Sequence, residues 1–172
     1  MATVNSSLNP PLATRVEPAT AAGRVAPPQL LRCLVVSCAA SRRRLIRAAA
    51  ECQAWDAIMC RDAGESLRAA FKRSVPLIVV DLPSEHSPEY RSLLDATHRA
   101  RQVSDALVVV AGAGGCEGEE VWARSLGAWS YLSEAQGQRA FELVFCEARA
   151  AWERSQRNAH PAFATAHEGD LW

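Results

Sequence analysis

The residue with most to offer chemically in this chain is Asp81. It closes the apolar run Val75-Pro76-Leu77-Ile78-Val79-Val80 and is followed by Leu82-Pro83. A run without polar alternation reads as a strand covered on both faces, as in a parallel sheet. A carboxylate at the carboxyl end of such a strand lies on the edge where open α/β sheets place their sites. Six cysteines, at 33, 38, 52, 60, 116 and 146, fall mostly within apolar patterns, and none forms a C-x-x-C pair. They read as buried free thiols. Cys38 and Cys116 lie near the same sheet edge as Asp81, but no His or Lys is placed to lower a thiol pKa there. The segment Gly112-Ala113-Gly114-Gly115 lacks both the G-x-G-x-x-G spacing and a following Lys-Ser or Lys-Thr, so it reads as a loop and not a phosphate cradle. His86, His98, His160 and His167 are scattered on polar, helical or tail positions, and no metal-ligand cluster or cofactor site emerges.

The elements that must position Asp81 follow from periodicity. Strands are expected at Arg32–Cys38, Trp55–Arg61, Leu77–Asp81, Ala106–Ala111 and Trp129–Leu132. Helices are expected at Ser41–Cys52, Ala63–Ser74, a third segment with Tyr90, Leu93, Leu94 and Thr97 inward, Glu117–Leu126 and Gln136–Arg157. The second helix is expected to carry Leu67, Ala70 and Phe71 on its inner face. Strands alternating with helices through short links give a parallel sheet with right-handed crossovers and helices on both faces. The fold class is therefore α/β, a flavodoxin-like three-layer sandwich with a five-stranded parallel sheet in the order 2-1-3-4-5 and five helices. Residues 1–29, rich in Ala, Pro, Thr, Ser and Asn, read as a disordered tail, residues 30–157 as the domain, and residues 158–172 as an irregular tail.

Composition narrows the partners. Lys+Arg and Asp+Glu are both 19, so no broad electrostatic pull toward nucleic acid or anionic membrane is expected. No run approaches the ~20 apolar residues of a membrane span. The N-terminus shows no secretory signal, and a cytoplasmic location is expected. Lysine occurs once, at Lys72.

Three segments carry a family resemblance: LVV at Leu34–Val36, VPLIVVDLP at Val75–Pro83, and GAWSYLSEA at Gly127–Ala135. In this order and separation they resemble the receiver domain of bacterial two-component response regulators, over roughly three quarters of the chain. The resemblance implies that Asp81 matches the phosphoryl acceptor. It also implies a magnesium-binding acid pair after the first strand, a hydroxyl residue at the end of the fourth, and a lysine at the end of the fifth.

This sequence departs from that pattern at every helper. The acid pair falls on Ser37 and Cys38, the hydroxyl on Ala111 or Gly112, and the lysine on Glu134, with Ala135 in place of proline. No arginine lies between Arg124 and Arg139 to replace the lysine. A carboxylate ~5 Å from a phosphoryl charge, at an effective dielectric of ~20, opposes it by about 3 kcal/mol, less where solvent screens it. The reading is a pseudo-receiver: no enzyme, no metal, and Asp81 retained as a polar residue bonded to loop amides. The alternative is an atypical single-domain regulator phosphorylated on Asp81. A small enzyme of the same fold is disfavoured, because no nucleophile–base pair can be placed at the strand ends. With no output domain expected in the chain, the function is docking to a signalling protein: a histidine kinase, another regulator, or a second copy as a homodimer. The interaction face is expected at Trp122, Trp129 and Tyr131, since aromatics on an edge strand beside a short helix suit docking.

Overall fold

The structure, a computed structural model, describes residues 30–112, 114, 117–133 and 137–159. The elements run β1 (Leu31–Ser37), α1 (Ala40–Cys52), β2 (Trp55–Cys60), α2 (Ala63–Lys72), β3 (Leu77–Asp81), α3 (Glu89–Gln102), β4 (Leu107–Ala111), α4 (Glu117–Ser125), β5 (Ser130–Leu132) and α5 (Gln138–Ala159). The five strands form one parallel sheet in the order β2-β1-β3-β4-β5. This is the expected flavodoxin-like arrangement. Both expected tails, 1–29 and most of 158–172, lie outside the described residues. Helix α5 continues two residues past the expected end at Arg157.

The unbroken apolar runs are explained by two cores, one on each face of the sheet. Cys33, Val35, Leu77, Val79 and Val109 meet Ile46 and Ala49 of α1 and Phe141, Phe145 and Ala148 of α5. Alternate residues Leu34, Val36, Ile78, Val80, Val108 and Val110 meet Leu93 and Ala100 of α3 and Ala123 of α4. Every residue of β3 is buried, because one face or the other claims each side chain.

Helix α2 corrects one expectation. Phe71 is 63% exposed, and the fully buried position is Ser66, whose hydroxyl donates to the carbonyl of Ala63 at 2.9 Å. The helix ends at Lys72, so Phe71 sits on its last turn.

The turn from α1 into β2 forces Ala54 to φ +55°, a left-handed conformation that a side chain disfavours. Arg149 of α5 holds this turn. Its guanidinium donates to the carbonyls of Gln53 (3.1 Å) and Ala54 and lies 5.6 Å from the Trp55 ring centre. The Trp55 indole N–H in turn donates to the Phe145 carbonyl at 3.0 Å, so α5 is fastened to this end of the sheet. Among the described residues no helix is long and apolar enough to cross a membrane.

Candidate functional site

Parallel pairing in register brings the sequence-predicted positions together. Ser37 on β1 and Ala111 on β4 flank Asp81 on β3 at the carboxyl edge. The Ser37 hydroxyl donates to Asp81 Oδ2 at 2.7 Å. The other main partner comes from α1, which begins directly after the β1 edge and so carries the Arg42 side chain over it. The Arg42 guanidinium donates through Nη2 to Oδ1 at 2.6 Å, and through Nε to Oδ1 at 3.1 Å and Oδ2 at 3.3 Å. It also lies 5.2 Å from the Phe141 ring centre, a cation–π contact with α5. Arg43 fixes the intervening turn by donating to the carbonyls of Ser37 (2.6 Å) and Cys38 (2.8 Å).

Among the described residues, the partners of Asp81 are therefore side chains and not loop amides. Asp81 is 7% exposed, and its charge is met by a guanidinium and a hydroxyl. The cation that the fifth strand lacks in sequence is supplied from α1. The sequence beside β5 does not reveal it. The signal was present in the spacing, since Arg42 follows the end of β1 by five residues on the first turn of a helix.

The donor set does not fit Mg²⁺. A hard dication requires several oxygen ligands at once. Here the Asp81 oxygens already accept from Arg42 and Ser37. Cys38, at the position of the second acid, is a soft donor whose thiol is pushed up by burial first and then by the Glu89 carboxylate. Among the described residues no group of three His, Cys, Asp or Glu side chains converges.

The far side of the edge is built around Gly112. A Cβ placed there would stand 2.3 Å from both the Tyr131 hydroxyl oxygen and Glu119 Oε2. Only glycine leaves room for the Tyr131 ring to turn onto the end of β4. The Tyr131 hydroxyl donates to Glu119 Oε2 at 3.2 Å, and Glu119 is 1% exposed. Sequence reasoning gave Glu119 no role. A tyrosine twelve residues further on, paired to the end of β4, was the available signal.

Of the remaining predicted residues, Trp122 is half-buried against the second core, whereas Trp129 is 37% and Val121 67% exposed. Glu134, Ala135 and Cys116 lie outside the described residues.

With this geometry in hand, known structures can be compared. A receiver domain protein from Methanospirillum hungatei superposes with a TM-score of 0.64 at 15% identity, covering 74% of this chain and 99% of that one. A response regulator from Thermotoga maritima gives 0.60 at 16% identity, covering 70% and 98%. The receiver domain of the Francisella response regulator 1452 gives 0.58 at 17%, covering 73% and 98%. The fold is that of a response regulator receiver domain. At these identities the likeness speaks for the receiver fold alone. No protein-family model matches the sequence, and no curated protein matches it. In this chain an arginine is seated on the carboxylate at the sheet edge.

Proposed function

We propose that this protein is a pseudo-receiver, a protein-interaction module of bacterial two-component-type signalling that works without phosphoryl transfer to Asp81. One observation carries the reading: the Arg42 guanidinium and the Ser37 hydroxyl occupy the carboxylate that a phosphodonor would have to reach. Phosphoryl transfer needs a free acceptor oxygen and a metal to gather the phosphoryl charge. Here the acceptor is neutralised within the fold, and the metal has no donor set.

Docking is what remains for such a site. The partner is a histidine kinase, another regulator or a second copy of the chain, met at the surface beside β5. Trp129 and Val121 supply exposed apolar area there, and Trp122 links them to the core. Tyr131, held inward by Glu119, fixes that surface in one arrangement.

The test is incubation with acetyl phosphate and Mg²⁺ followed by intact mass. The expected result is no mass gain. A gain of one phosphoryl group, absent from Asp81→Asn, would instead establish a phosphorylated single-domain regulator.

A further inference from the structure

Away from Asp81, the β2 edge of the sheet is open. β2 pairs with β1 on one side, and among the described residues no strand pairs with its other side. An edge strand presents unpaired N–H and C=O groups that another extended chain can pair with. β2 is six residues long, against three for β5 at the opposite edge.

The flanks of this edge are cationic on both faces. On the α1 side a pocket of about 220 Å³ is lined by Ala40, Met59 and the three arginines 43, 44 and 47, with no acid. On the α2 side a pocket of about 460 Å³ holds Arg61, Arg68, Lys72 and Arg73 against Glu65 alone. Met59 lines both, so the pockets meet across the strand, with Ile58 beside it.

Three carboxylates near the strand are already engaged. Asp56 pairs with Arg32 at 3.2 Å, Glu65 receives Arg61, and Asp62 accepts from the Glu65 amide at 2.8 Å as the cap of α2. No described carboxylate forms an ion pair with Arg44, Arg47 or Lys72.

We infer that the β2 edge takes an acidic, extended peptide segment of a partner protein as a sixth strand. Side chains of an added strand alternate between the two faces of the sheet. One set would meet Arg44 and Arg47, the other Arg68 and Lys72, so acids are favoured on both faces. The small apolar surface of Ile58 and Met59 suits aliphatic residues at the centre of such a segment. Nucleic acid would satisfy the charge but not the ladder of unpaired backbone groups. A second copy's β2 edge would bring like charges together, which opposes that pairing. This inference is independent of the state of Asp81 and of the docking face beside β5.

The test is fluorescence anisotropy on the full chain. The probe is a labelled eight-residue peptide with two glutamates at each end and four valines between. Binding should weaken as salt rises and fall about tenfold or more in Arg44→Glu/Arg68→Glu. It should also fall about tenfold when alternate backbone nitrogens of the probe are methylated in one of the two possible registers. The inference is overturned by no binding at millimolar peptide, by equal affinity for the probe with lysines in place of glutamates, or by indifference to methylation in both registers. It is also overturned if a thymidine 20-mer binds more tightly and displaces the peptide.

Discussion

Helix α1 carries four arginines within six residues, and they divide into two pairs with opposite fates. Arg42 and Arg43 are partly buried and turned onto the sheet edge, where one meets Asp81 and the other meets the carbonyls of Ser37 and Cys38. Arg44 and Arg47 are exposed beside β2. In sequence, S-R-R-R-L-I-R looks like a single solvated basic face. The helical step sets Arg42 apart, but Arg43 shares a face with Arg47 and differs from it by bending back onto the carbonyls of Ser37 and Cys38; desolvation sets their value. A guanidinium bidentate on a buried carboxylate holds the fold together, while one in water is left for a partner.

The sharpest way to break this contrast is to remove the buried acid. Asp81→Ala removes the carboxylate that the Arg42 guanidinium and the Ser37 hydroxyl both meet. Loss of one member of a buried pair costs about 3–5 kcal/mol, and the partial exposure of Arg42 favours the low end. Urea denaturation should show this loss, and a change below about 1 kcal/mol would mean that the pair is effectively solvated.

A smaller effect is expected at Gly112→Ala. The added methyl meets the rigid end of the Tyr131 ring and a buried Glu119 oxygen, so the ring must leave the β4 edge. Overpacking of this kind costs about 1–3 kcal/mol. The Tyr131 ring resonances should shift, and unchanged resonances with unchanged stability would place the tyrosine elsewhere.

Cysteine chemistry gives a test with a smaller effect on stability. Burial foremost, and the Asp56 carboxylate next, push the Cys33 thiol up to about 12 from 9.0. The unfolded chain therefore releases this proton before the folded one does. The contribution of Cys33 is intact below pH 9 and falls as pH rises from 9 toward 12. Cys33→Ala should flatten that alkaline decline, and an unchanged decline would show that Cys33 is accessible.

The smallest effect is expected for the outward arginines. Arg44→Glu should change stability by no more than about 0.5 kcal/mol in urea, as exposed substitutions do. A larger loss would mean that Arg44 is built into the fold as Arg42 is.

Much of the architecture was legible because both cores draw on alternate residues of the same strands, leaving Leu77–Asp81 no polar position before its end. Periodicity erred at Phe71, which continues the helical stripe onto the last turn of α2 and is exposed there. At the site, Asp81, Ser37, Ala111 and Tyr131 could be placed from strand ends alone. Arg42 and Glu119 needed their spacing from neighbouring elements as well, because each acts through a side chain reaching from a helix. Residue type gives no warning of that reach.

The central claim is that Arg42 neutralises Asp81 inside the fold, and a double-mutant cycle tests it most directly. Unfolding free energies of the wild type, Arg42→Met, Asp81→Asn and the double variant give the coupling between the two side chains. A coupling of about 1–3 kcal/mol is expected, with the double variant more stable than the sum of the single losses implies. Additive losses, with coupling within about 0.3 kcal/mol of zero, would contradict the account and leave Asp81 a free acceptor.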